Sequence, residues 1–277
     1  MIGWLAAAAM AGGEAADRHT DAHAPAKPAA SSSKSKSTSS SKAKVVEHAA
    51  PHWTYEGDEG PSHWGELAPE FETCSSGHAQ TPIDLNTRYA ESVGLDDAVF
   101  HYHPVPAKIV NNGHTIQVNL EVGNAIEIDS TYYELVQFHL HTPSEHRVNG
   151  KPYPMELHLV HKDAAGHLAV MGVFVTEGEE NQALASVFDN MSGKVAQEKA
   201  LSDAYDPAAI LPEDHRFFRY TGSLTTPPCS EDVRWMVLGA SISASAEQIE
   251  KFHGLFENNA RPVQALNGRT VLVDATP

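Results

Sequence analysis

Tyr132-Tyr133-Glu134-Leu135-Val136-Gln137-Phe138-His139-Leu140-His141 is the stretch on which the fold turns. Successive side chains of a β-strand point to opposite faces. Alternation here puts Val136, Phe138 and Leu140 on one side and Gln137, His139 and His141 on the other. The apolar side belongs to a core. A second run, Met155-Glu156-Leu157-His158-Leu159-Val160, has the same parity, with Met155, Leu157 and Leu159 on its greasy face and Glu156, His158 and Val160 opposite. Both segments read as strands that carry histidine on the face turned away from the core.

Burying three imidazoles costs on the order of several kcal/mol unless each ring nitrogen finds a partner, and one shared divalent ion satisfies His139, His141 and His158 together. Three histidines with an open fourth position suit catalytic zinc. Gln137 and Glu156 each stand two residues before a histidine on the same face, where they can accept the second ring N–H and hold the tautomer. The chain has 17 histidines, so a chance surface or hydrogen-bonded pair competes with the metal reading, and spacing by itself leaves both open.

Outward from these two runs the chain is strand-rich. Period-two or short apolar runs span 107–110, 115–122, 126–128, 132–141, 155–161, 169–175, 217–224 and 234–242. Helical spacing is confined to 246–256, with Ser245 as N-cap, and to 181–192. No glycine-rich phosphate loop follows a strand. The net charge of −17 over 277 residues hides an asymmetry. The first 50 residues hold six Lys or Arg and four Asp or Glu, leaving 13 and 32, a net of −19, for the remainder. Such acidity argues against nucleic acid as a partner.

The first 50 residues divide in two. Residues 1–24 are signal-like: Ile2 to Gly13 is an alanine-rich apolar run too short to span a bilayer, with small residues around Ala9-Met10-Ala11 that suit cleavage. The basic start of an export signal is missing, so an alanine-rich disordered start is the alternative. Residues 25–50 contain SSSKSKSTSSSKAK, too polar to bury a core, and read as a flexible linker. Residues 51–277 are then the folded domain. Two cysteines, Cys74 and Cys229, suggest either a bridge formed in an oxidising compartment or two buried thiols.

The strings QFHLH, SEH, ELHLVH and SLTTPPC, in this order, resemble the alpha-class carbonic anhydrases, and more closely their secreted bacterial branch. The likeness runs from about His52 to Val273 and includes HWTYEGDEGPSHWGEL, CSSGHAQTPIDL, NNGH, LAVMGVF and NARPVQALNGR. It implies a mainly β (α+β) single domain, built on a large twisted, mostly antiparallel sheet of about ten strands with a few short peripheral helices. It also implies reversible hydration of carbon dioxide to bicarbonate and a proton, by attack of zinc-bound hydroxide, with one Zn2+ per chain held by His139, His141 and His158. Gln137 and Glu156 would orient the ligands.

The same resemblance assigns the remaining site. Thr225 would accept a hydrogen bond from the nucleophile and donate its own proton to Glu145, because an ionised carboxylate can only accept. Read from the residues alone, Thr225-Thr226-Pro227-Pro228 is most simply a rigid extended turn. Val160, Val170, Leu224 and Trp235 would line the substrate pocket, with Thr225 and Thr226 beside them. His114 would shuttle the proton, an unperturbed imidazole near 6.5 being suited to the task, with Tyr55, Asn112 and Gln117 ordering the intervening water. Gln117 departs from the asparagine of animal members. His146 is read as structural. Cys74 and Cys229 fall where secreted members bridge, closing a loop worth about 5 kcal/mol at most in the chain-entropy model.

The implied setting is periplasmic or secreted, as a homodimer with no transmembrane span, and with ester cleavage as a side activity. Three rivals remain: a binding module that has lost a ligand, a zinc buffer, and a general zinc hydrolase. The first needs a missing histidine, the second dense histidines elsewhere, the third a wider polar pocket.

Overall fold

The computed structural model describes residues 51–95 and 98–275; the signal-like segment and the linker lie outside the described residues. In chain order the strands are β1 (Asp84–Leu85), β2 (Glu91–Val93), β3 (Val99–His101), β4 (Ala107–Asn111), β5 (Ile116–Leu120), β6 (Ala125–Ile128), β7 (Thr131–His141) and β8 (Arg147–Val148). There follow β9 (Met155–Lys162), β10 (Leu168–Glu177), β11 (Lys199–Ala200), β12 (Phe217–Gly222), β13 (Val233–Leu238), β14 (Ile242–Ala244) and β15 (Leu272–Asp274). The α-helices are short: α1 (Trp64–Leu67), α2 (Thr73–Ser76), α3 (Gln182–Asn190) and α4 (Ala246–His253).

Among the described residues, thirteen strands form one sheet whose main path runs β11-β4-β5-β7-β9-β10-β13-β12-β15-β2, with β6, β3 and β14 attached to its flanks. The path has the ten strands expected. Its ladders are antiparallel except β10–β13, β10–β14 and β15–β2, so the sheet is mixed rather than wholly antiparallel. β1 and β8 form a separate parallel pair.

β10 sits mid-sheet because its near-continuous apolar run can be buried on both faces. Ala169, Met171, Val173 and Val175 join the larger core with Met155, Leu157 and Leu159, while Val170 and Phe174 join a second cluster with Trp235, Val237 and Phe218. Each such aliphatic or aromatic burial is worth roughly 1.5–3 kcal/mol.

A β-bulge in β7 corrects the simple alternation. Leu135 pairs with His161 and Gln137 with Val160, so Val136 is an extra residue. Val136 was expected on the core face with Phe138 and Leu140; instead it is only half-buried and lies outside both clusters. The inserted residue flips the face. Before it the odd-numbered Tyr133 and Leu135 are in the core, after it the even-numbered Phe138 and Leu140 are. That switch turns Gln137, His139 and His141 outward while both halves of the strand keep an apolar inner face.

Elsewhere element bounds differ by the turn chemistry. The run expected over 234–242 breaks after Leu238, where Gly239 N donates to Arg216 O at 2.9 Å, and resumes as β14 beside β10. The strand expected over 217–224 stops at Gly222. α4 ends at His253, three residues before the expected limit, and starts with a capping box in which Ser245 accepts from Gln248 N. α3 is likewise capped by the Asn181 side chain, which accepts from Leu184 N. Cys74 and Cys229 are bridged, beneath Trp53, Trp64 and Phe71.

Candidate metal centre

β7 and β9 pair in a register that sets His139 opposite His158 and His141 opposite Glu156. One nitrogen from each of His139, His141 and His158 falls in a group whose members lie within 4.8 Å of one another. Which nitrogen faces inward follows from the partners of the other. His139 Nδ1 donates to Gln137 Oε1 at 2.9 Å, His141 Nδ1 to the backbone oxygen of Asn259 at 2.7 Å, and His158 Nε2 to Glu156 Oε1 at 2.8 Å. Amide, carbonyl and carboxylate oxygens only accept, so the proton of each neutral ring is spent outward and a lone pair is left inward on Nε2, Nε2 and Nδ1.

Electrostatics favour that state for His139 and His141. Burial, reinforced by the neighbouring histidines, holds His139 well below the ordinary imidazole range and His141 below it. Burial also opposes a charge on His158, but there the Glu156 carboxylate prevails and the shift is upward, making this ring the most basic of the three. Burial works against ionising Glu156 too, yet His146 and His158 outweigh it and keep the acid ionised. Glu156 accepts three hydrogen bonds, from His146 N (2.8 Å), His146 Nδ1 (2.7 Å) and His158 Nε2. The carboxylate has room because position 172 is glycine: a Cβ there would stand 2.9 Å from Glu156 Oε1.

Glu145 roofs the centre. Its Oε1 accepts from Arg261 N at 2.8 Å, while Oε2 is buried without a hydrogen-bond partner, 3.6 Å from His141 Nε2 and 3.7 Å from His158 Nδ1. The bond expected from the Thr225 hydroxyl to this carboxylate is therefore not formed. Thr225 is buried in a loop held by Leu224 N donating to Ser230 O and Cys229 N donating to Thr226 O, each 2.9 Å. An anion and three lone pairs facing one another in a dry site are costly unless a cation lies between them. The donor set thus suits a divalent metal, and three neutral nitrogens suit zinc.

Val160, Val170, Leu224 and Trp235 come together in one apolar cluster, as expected, and the Trp235 ring lies 4.9 Å from that of His158. Asn112 caps the turn before β5, its Oδ1 accepting from His114 N and Thr115 N at 3.0 Å and its Nδ2 donating to Gln117 Oε1 at 3.1 Å. Tyr55 is pushed well above the phenol range by burial and by Glu145, so it stays protonated.

His114 departs from expectation. It stacks flat on Trp53, ring centroids 3.7 Å apart at 8°, and burial together with His52 lowers its pKa from 6.5 to about 4. The premise of an unperturbed shuttle is corrected accordingly. Beside it opens a groove of about 450 Å³, bounded by His52, Trp53, Tyr55, His114 and Glu257.

Four supporting residues carry no role in the sequence reading. The Asn259 side chain accepts from Thr142 N at 2.7 Å and donates to His114 O and Leu140 O at 3.0 Å, in addition to its backbone hold on His141. Arg261 donates to Thr81 O and Cys74 O, tying the disulfide to the residue behind Glu145. Tyr220 donates to His146 Nε2 at 2.6 Å, and Thr81 Oγ1 lies 3.3 Å from the same hydroxyl. The string NARPVQ drew attention to Asn259 and Arg261 as a motif, but a backbone oxygen acting as acceptor leaves no mark in a side-chain pattern.

A family model described as eukaryotic-type carbonic anhydrase matches residues 59–275. A carbonic anhydrase of Nostoc sp. is 46% identical over 235 residues, 83% of this chain and 87% of that one. One from Klebsiella pneumoniae is 44% identical over 226 residues, 80% and 91% of the two chains. Among solved structures, the alpha-carbonic anhydrase of Thermovibrio ammonificans in complex with sulfanilamide superposes with a TM-score of 0.79 at 44% identity, covering 81% of this chain and all 100% of that one.

Proposed function

The chain belongs to the eukaryotic-type, alpha-class carbonic anhydrase family, and from that premise we propose that it performs the family's hydration of carbon dioxide at a zinc site made by His139, His141 and His158. As a carbonic anhydrase it is a carbonate dehydratase, interconverting carbon dioxide and water with bicarbonate and a proton. The observation that carries the zinc reading is the convergence of one ring nitrogen from each of three histidines beneath a buried, unpartnered oxygen of Glu145.

Zinc bound there would supply Lewis acidity, lowering the pKa of its water to about 7, a figure established for this enzyme class and taken from it. The chain's own residues do the rest. Neutral imidazoles leave the ion's charge less compensated than thiolates or carboxylates would. Gln137, Glu156 and the Asn259 carbonyl hold the three rings at fixed tautomer and tilt. Glu145 Oε2, buried and without a hydrogen-bond partner, stands over the three ring nitrogens, where it can accept a hydrogen bond but not donate one while ionised.

Carbon dioxide has no charge and no donors, so it belongs against the apolar wall of Val160, Val170, Leu224 and Trp235. Bicarbonate carries a charge and is held by the Thr225 N–H and by Thr226. The proton leaves by His114, past Tyr55, Asn112 and Gln117. The Cys74–Cys229 bridge supports an oxidising, periplasmic or secreted location for the catalytic domain of residues 51–277. Stopped-flow hydration of carbon dioxide, with zinc assayed before and after chelation, tests the reading. Hydration that tracks one zinc per chain is expected; full hydration by metal-stripped protein overturns it.

A further inference from the structure

Gln117 and Asn119 lie on the β5 face that meets the metal ligands. In the β5–β7 ladder Gln117 pairs with His139 and Asn119 with Gln137, and residues paired across two strands share a face. Their side chains belong to one run of hydrogen bonds. Asn112 Nδ2 donates to Gln117 Oε1 at 3.1 Å, Gln117 Nε2 to Asn119 Oδ1 at 2.6 Å, and Asn119 Nδ2 to Glu198 Oε1 at 3.3 Å. The other oxygen, Glu198 Oε2, faces Lys108 Nζ at 3.4 Å. Neither Asn119 nor Glu198 has a role in the site as drawn so far.

We propose that Glu198, acting through Asn119, is a positioning residue for carbon dioxide hydration that holds the Gln117 amide in one direction. The proposal rests on the reading of Gln117 as a residue that orders water on the proton's way out. Both ends of the run force its direction. Asn112 Oδ1 is taken by the N–H groups of His114 and Thr115, so only its NH2 is left for Gln117, which must answer with oxygen. A carboxylate can only accept, so Asn119 turns its NH2 to Glu198 and its oxygen to Gln117 Nε2.

The geometry explains why an anchor is needed. Glutamine has one methylene and one rotatable bond more than the asparagine of animal members, so it wanders further unless it is tied. With Oε1 and Nε2 each bonded once, one oxygen lone pair and one N–H keep fixed directions for water. Without the carboxylate, Asn119 is free to turn over and set NH2 against NH2, and Gln117 then keeps its bond to Asn112 alone. The loop that carries Glu198 is itself sewn to β4, which ends at Asn111. Asn111 Nδ2 donates to Ser192 O at 2.9 Å, Ala196 N donates to Asn111 O at 2.8 Å, and β11 pairs with β4. The carboxylate therefore stands on a fixed frame.

The experiment follows hydration by zinc-replete variants in weak buffer, together with exchange of the Gln117 side-chain N–H by NMR in the zinc-free chain. Glu198→Ala and Asn119→Leu should each lower kcat about threefold with kcat/KM unchanged, and the two combined should be no slower than either. Asn119→Asp sets two carboxylates face to face and should be as slow. Adding Glu198→Gln to it restores a donor toward position 119 and an acceptor toward Lys108, and should bring kcat back. Gln117 N–H exchange should quicken about tenfold in Glu198→Ala and recover in the paired variant. Parent-like kcat or exchange in Glu198→Ala, an equal fall in kcat/KM, or no recovery in the paired variant overturns the proposal. If Gln117→Ala is slow while Glu198→Ala is not, Glu198 falls and the reading of Gln117 stands; if both run at the parent rate, both fall.

Discussion

Glu156→Gln isolates the ligand-orienting carboxylate with almost no change of shape. Glu156 is fully buried and accepts from two ring N–H groups and one backbone N–H, all within 2.7–2.8 Å. An amide offers one acceptor oxygen. If that oxygen replaces Oε1, the new NH2 faces the N–H of His146; if the NH2 replaces Oε1, it faces His158 Nε2 and drives that ring's proton to Nδ1, where the metal-binding lone pair was. Either outcome removes at least one charge-assisted bond, worth about 1.5–3 kcal/mol. Zinc affinity should fall roughly 10- to 100-fold, about 1.4–2.8 kcal/mol. Gln137→Ala, which deletes a neutral acceptor from His139, should cost less, about 0.5–1.5 kcal/mol. Competition with a chromophoric chelator measures both. A Glu156→Gln chain that keeps its affinity within threefold while folding normally, or one that binds zinc better than Gln137→Ala, refutes the reasoning.

Gly172→Ala should reproduce part of this effect from the neighbouring strand, since its Cβ would sit 2.9 Å from Glu156 Oε1; equal zinc affinity in parent and variant argues against the close approach. Chelation should lower the melting temperature by roughly 5–10 °C, from about 2.7 kcal/mol of binding free energy when free zinc is 100-fold above Kd; identical calorimetric scans with and without chelator would count against a site formed only in the folded chain. The double change Cys74→Ser, Cys229→Ser should destabilise by about 2–5 kcal/mol in urea unfolding, and coincident midpoints would contradict it. His161 is held neutral in the core, its pKa lowered by burial from 6.5 to about 3. The unfolded chain therefore binds one more proton than the folded chain between those limits, so this stability is full above pH 6.5 and lost as pH falls toward 3. His161→Phe should flatten the slope of stability against pH in that window by up to about 1.4 kcal/mol per unit. Parallel slopes for parent and variant would remove His161 from the acid response.

The strand-rich body was legible because hydrophobic alternation is a short-range property. Met155, Leu157 and Leu159 entered the core as their parity required, and the alternation of Gln137, His139 and His141 placed amide and imidazoles on one face. The helix cap at Ser245 was legible for the same reason, since it acts within three residues. Val136 was misread because a bulge is an agreement between two strands: nothing within 132–141 says that the partner contributes one residue fewer.

What the amino-acid sequence determined alone was therefore the local chemistry: which side chains share a strand face, and that two of the three imidazoles have an acceptor two residues before them on that face. Tertiary structure decided which nitrogen of each ring looks inward, through contacts such as His141 with the carbonyl of Asn259, 118 positions away. It decided also that Glu145 Oε2 hangs unpartnered over the site and that His114 is pressed against Trp53 beside His52. Proton positions and pKa values depend on burial and on charges a few ångströms away, and those distances exist only after segments far apart in the chain have packed together.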